Sequence, residues 1–84
     1  MSRFEKLKAD FKRCQSTFSY GDFERLLGGF GYAQDKPGKT GGSARKFTHS
    51  VTKHMIWLHE PHSGEMTQSM VRRLREQLEE KGLL

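Results

Sequence analysis

The chain has 84 residues, enough for one small domain with a modest core and too few for two independent ones. Its formal charge is +5 at neutral pH, a balance that favours an anionic partner, most often nucleic acid, although an acidic protein would satisfy the same field. The single cysteine, Cys14, excludes an intramolecular disulfide and any cysteine-rich zinc module. Charges stand where a signal peptide would carry its apolar run, and no stretch is long enough to span a bilayer, so a soluble cytoplasmic protein is expected.

Phe4, Leu7, Phe11 and Cys14 recur at spacings of three and four among charged residues, which predicts an amphipathic helix over roughly residues 2–15. Ser19 or Asp22 can cap a second helix whose apolar face is Phe23, Leu26 and Leu27. Gly28-Gly29 is expected to stop it, since glycine readily adopts the left-handed conformation at helix ends. Phe30 to Gln34 is expected as a strand, followed by a turn-rich loop from Asp35 to Gly42. Ala44 to Thr48 and His54 to His59 are predicted as two further strands. The short connection Ser50-Val51-Thr52-Lys53 makes them an antiparallel hairpin.

Pro61-His62-Ser63-Gly64 breaks the pattern again. From about Thr67 to Lys81 the positions Met70, Val71, Leu74 and Leu78 mark a last helical face, with Gly82 as the stop. Arg72, Arg73 and Arg75 crowd the first half of that helix and Glu76, Glu79 and Glu80 the second, an order that opposes the helix dipole. The preferred explanation is a solvated face with Arg72–Glu76 and Arg75–Glu79 pairs, ahead of a second nucleic-acid site. The order helix, helix, strand, strand, strand, helix predicts a two-layer α+β sandwich. Its three-stranded antiparallel sheet would have helices on one face and an N-terminal extra helix.

Strand alternation then sorts the side chains. Ile56, Leu58 and Phe47 are expected in the core, with Met55, Trp57 and His59 facing the other way alongside Ala44, Lys46 and Thr48. From Lys36 to His59 there is no Asp or Glu but there are five cations, Lys36, Lys39, Arg45, Lys46 and Lys53. Adjacent glycines followed by cations suit a phosphate, which makes Gly42, Ser43, Arg45 and Lys46 candidates for backbone contacts to a nucleic acid. Trp57 beside cations suits stacking on single-stranded bases, and a hairpin-packing or partner-binding role is an equal alternative.

The histidines invite a metal reading. However, His54 and His59 are an odd number of residues apart along a strand, and no cysteine or well-placed carboxylate completes a site, so no metal is expected. His59 and His62, flanking Glu60-Pro61 at a strand end, are the acid/base candidates, because histidine can both take and give a proton near neutrality. Exposed loop histidines with structural hydrogen bonds are the competing explanation.

These pieces, in order, resemble the HicA-type toxins of bacterial toxin–antitoxin pairs. The resemblance covers roughly residues 19–84, with residues 1–18 as an N-terminal helical extension. It rests on Asp22-Phe23-x-x-Leu26-Leu27 leading to Gly29-Phe30, and on Thr40-Gly41-Gly42-Ser43 running to Phe47. Leu58-His59-Glu60-Pro61-His62-x-Gly64 follows, then a helix with Val71-x-x-Leu74 that ends near Gly82-Leu83. The resemblance implies a double-stranded-RNA-binding-domain-like fold, cleavage of mRNA as a ribonuclease without any cofactor, and neutralisation by a HicB-type antitoxin. Family members carry a catalytic histidine directly after the Gly-Ser, where this chain has Ala44. Three readings follow: a variant that cleaves with other groups such as His59 or His62, a non-catalytic module that binds RNA or an antitoxin, or an inactivated form. A purely protein-binding module with an acidic partner is a further alternative.

Overall fold

A computed structural model of the chain describes residues 2–35 and 44–84. The Gly41-Gly42-Ser43 segment and most of the expected loop therefore lie outside the described residues, and with them the candidate contacts Gly42 and Ser43.

Helix α1 spans Arg3–Arg13 and is capped by Ser2, whose Oγ accepts the Glu5 N–H at 3.1 Å. Its stripe turns inward as the spacing requires. Phe11 is fully buried, while Phe4, Leu7 and Cys14 pack partly against the core. The Arg75 guanidinium donates to the Cys14 carbonyl and Gln68 Nε2 to the Gln15 carbonyl at 2.9 Å, so side chains of the last helix satisfy the end of the first.

Strand β1, Phe18–Ser19, pairs with β5, Glu65–Met66, in a two-stranded antiparallel ribbon that the sequence pattern did not predict. Two residues are too few to display alternation. Helix α2 spans Tyr20–Phe30, and its cap is Ser19, not Asp22. The Ser19 Oγ accepts the Asp22 N–H at 3.3 Å, and Asp22 in the first turn pairs with Arg25 at 2.8 Å.

The expected stop at Gly28-Gly29 is not where α2 ends. The helix runs through both glycines to Phe30 and terminates on Gly31, at φ +103°. The reason lies in another helix: a Cβ at Gly29 would collide with the Phe4 ring of α1. Gly29 is thus a site of close helix approach, and the left-handed cap falls two residues later. The following strand, β2, is accordingly shorter than expected, Tyr32–Gln34.

β2, β3 (Ala44–His49) and β4 (Met55–His59) form an antiparallel sheet in that spatial order. Tyr32 pairs with His49 and Gln34 with Phe47, while Phe47 also pairs with Ile56 and Ala44 with His59. His49 pins the β3–β4 hairpin. Its Nδ1 accepts the N–H groups of Val51 and Thr52, each at 3.1 Å, so the proton sits on Nε2, which donates to the Phe30 carbonyl at 2.8 Å.

Helix α3 spans Gln68–Glu80 behind a Thr67 cap whose Oγ1 accepts the Met70 N–H at 3.3 Å. It gives way at Gly82, φ +75°, as expected. All three helices feed one core, in which Phe11, Phe23, Leu26, Leu27, Val71, Leu74 and Leu78 meet Phe47, Ile56 and Leu58 of the sheet. The result is a small α+β domain with the helices on one sheet face. Among the described residues no charged or polar side chain is buried in that core, and no helix is long and apolar enough to cross a membrane.

Candidate nucleic-acid interface on the open sheet face

Alternation along β4 is complete: Ile56 and Leu58 are buried, whereas Met55 is 47% and Trp57 58% exposed, with His59 exposed beyond them. Cross-strand register brings β3 side chains of the same parity to the same face, with Lys46 opposite Trp57, Thr48 opposite Met55 and Ala44 opposite His59. The open face therefore carries the expected cluster of Lys46, Trp57 and His59.

Lys46 Nζ lies 5.1 Å from the Trp57 ring centroid, a cation–π arrangement, and 3.0 Å from Asp35 Oδ2. Asp35 also accepts the Thr48 hydroxyl at 3.2 Å, and its backbone N–H donates to the Lys46 carbonyl at 2.8 Å. Lys46 is thus held against the indole by a carboxylate that the acid-free run from Lys36 onward had left out of view.

Arg45, grouped with Lys46 from sequence, points to the other side of β3. Adjacent residues on a strand face opposite ways. Its Nε donates to Glu60 Oε1 at 3.2 Å and its Nη1 to the Ala44 carbonyl at 3.0 Å. The buried Tyr20 side chain is held in the field of this pair. Its hydroxyl has no hydrogen-bond partner among the described residues, and burial, reinforced by Glu24 and Glu60 against Arg45, pushes the phenol up to about 12. Tyr20 therefore stays a neutral phenol throughout the physiological range.

A depression of about 170 Å³ opens where β3 starts and β4 ends, lined by Ala44, Trp57, Leu58, His59 and Arg73. His59 belongs to it. His62 does not line it and is exposed on the Pro61–Gly64 turn, closed by the Gly64 N–H donating to the Pro61 carbonyl at 3.0 Å. His54 lies on the helix side of the sheet with its Nδ1 2.7 Å from the Tyr32 hydroxyl. Burial first, then the Lys81 ammonium and the neighbouring His49 ring, hold its imidazole below the ordinary value, while burial raises the Tyr32 phenol. Among the described residues no group of three or more His, Cys, Asp or Glu could hold a metal ion.

Arg73 is the member of this site that the sequence reading assigned to a solvated face, ahead of a second nucleic-acid site. The Arg75–Glu79 pair forms, at 3.9 Å, but the expected Arg72–Glu76 pair does not. Arg72 instead borders a separate depression of about 250 Å³ with Cys14, Gln15, Gln68 and Arg75, while Arg73 reaches the β4 edge. The only available sequence signal was the unfavourable placement of three arginines near the positive end of a helix. Compared with known families, curated proteins and solved structures, the chain matches none.

Proposed function

We propose that the chain is a HicA-like toxin whose open sheet face binds mRNA, on a fold of the double-stranded-RNA-binding-domain type, and which a HicB-type antitoxin neutralises. What carries this reading is the β3–β4 register. Ala44, at the position of the family's histidine, lies directly opposite His59 on a face that also presents Trp57, at the mouth of the same depression. A base stacked on Trp57 would bring its ribose and phosphate towards that pair of positions.

The chemistry is cleavage through the 2′-hydroxyl. One unprotonated imidazole takes the 2′-hydroxyl proton, the 2′-oxygen attacks the adjacent phosphorus, and a protonated imidazole gives its proton to the departing 5′-oxygen. His59, with His62 on the turn beyond it, supplies the remaining acid/base groups. Alanine at position 44 can neither move a proton nor stabilise charge, and this favours a second reading in which the chain binds RNA without cutting it.

The two are separated by comparing the chain with its Ala44→His form in gel retention, RNA cleavage and growth arrest on induction. Cross-strand neighbours have Cβ atoms roughly 5 Å apart, so the new imidazole would act beside His59. Cleavage is expected to rise by about a hundredfold or more, the usual yield of one general acid or base. Slow cleavage by the unaltered chain that is lost in His59→Ala and His62→Ala supports the nuclease. Retention without products supports the binding module. If neither form retains RNA, the proposal is wrong.

A further inference from the structure

The cations assigned to phosphate from sequence both have carboxylate partners: Arg45 with Glu60 and Lys46 with Asp35. A cation with a carboxylate at contact distance presents a weak field to a third charge, because the pair's potentials largely cancel beyond a few ångströms. Arg72 and Arg73 of α3 differ. Both are exposed, and among the described residues neither side chain is in an ion pair or a hydrogen bond. They also sit in the first half of α3, whose first turn contains no acidic residue.

Arg73 shares the 170 Å³ depression with Trp57, His59 and Ala44. β4 is the outer strand of its sheet, and among the described residues no further strand stands between Trp57 and α3. Arg73 also lines a second depression, of about 450 Å³, together with Glu76, Gln77, Glu79 and Glu80, although none of these carboxylates is at ion-pair distance from it. That acidic half would repel a phosphate backbone and sets a boundary.

We infer that Arg73 makes a phosphate contact on this face, and that a single strand stacked on Trp57 crosses the β4 edge onto the first half of α3. The inference rests on the nucleic-acid reading above and adds the path of the strand and the residue that grips it. The ligand is single-stranded because a base can reach the Trp57 ring only when it is unstacked from its neighbours.

The test is the salt dependence of binding to a labelled single-stranded oligouridylate of roughly a dozen nucleotides, a usual span for such faces, measured by fluorescence anisotropy. Each phosphate neutralised on a single strand contributes about 0.7 to the log–log salt slope. Arg73→Gln is expected to reduce the slope by about 0.7 and to weaken binding roughly fivefold at moderate salt. Lys6→Gln on α1 removes the same net charge from an exposed position and is expected to leave the slope unchanged. Circular dichroism of both variants verifies that the fold is retained. If the unaltered chain binds the oligonucleotide but Arg73→Gln keeps its slope, or if Lys6→Gln lowers the slope equally, the proposed path is overturned while RNA binding stands. If the unaltered chain does not bind at all, the nucleic-acid reading falls with it.

Discussion

The adjacent glycines of α2 are predicted to respond to alanine with opposite signs. A Cβ on Gly28 would meet nothing within 4 Å, whereas on Gly29 it would collide with the Phe4 ring. Both positions are helical, so alanine brings each about 1 kcal/mol of helix propensity. At Gly28 nothing opposes that gain, and the domain should be stabilised by about 1 kcal/mol. At Gly29 the Phe4 ring must move. It is partly buried and stands edge-on to Phe30 with centroids 5.2 Å apart.

Displacing that ring forfeits roughly 0.5–1.5 kcal/mol of aromatic contact and about 1 kcal/mol of partial burial. The net for Gly29→Ala is then a loss of about 1 kcal/mol. In a Phe4→Ala background the obstruction is gone, and Gly29→Ala should become stabilising by up to about 1 kcal/mol. The coupling in the double-mutant cycle is therefore about 2 kcal/mol, well above the scatter of independent sites. Urea unfolding followed by far-ultraviolet circular dichroism reads all five proteins. Stabilisation by Gly29→Ala in the unaltered background, or the same loss with and without Phe4, would refute the claim that α1 docks through this contact.

Two further predictions concern the sheet. Trp57→Ala should weaken single-stranded RNA binding by about 1–3 kcal/mol, the usual worth of one stacked base, measured by anisotropy; an unchanged affinity would remove Trp57 from the interface. His54 makes stability depend on acid. Its folded-state value is depressed below 6.5, so the unfolded chain binds the proton more readily. Its contribution is intact above about pH 6.5 and is lost as pH falls through the folded value. The urea midpoint should decline below that pH, and His54→Gln, which offers the Tyr32 hydroxyl a non-titrating partner, should flatten the decline; an equally steep decline in the variant would place its origin elsewhere.

What was legible in the sequence was whatever depends on periodicity. The stripe of α1, the faces of β4 and the Thr67–Gly82 limits of α3 follow from side chains repeating every two or roughly every four residues, and burial enforces those repeats. The end of α2 was not legible, because Gly28-Gly29 has the composition of a stop, and only the approach of Phe4 from another helix explains its continuation. The state of each cation was equally hidden. Arg45 and Lys46 are neighbours in the chain but belong to opposite faces with different carboxylates, and the pairing of Lys46 with Asp35 depends on strand register. Arg73 entered the site because α3 passes beside an edge strand, a tertiary arrangement that a charge pattern along one helix does not encode.

The imidazole of His49 bonds to the carbonyl that ends α2 and to two N–H groups in the β3–β4 hairpin, three backbone partners in all. It acts as a cross-link between two connections far apart in the chain, and it anchors the β2–β3 pairing at its Tyr32–His49 end. Register is therefore secured at the end of the sheet opposite the segment joining Asp35 to Ala44. A single neutral ring thus ties the exit of α2 to the β3–β4 hairpin, and its loss would free both connections at once.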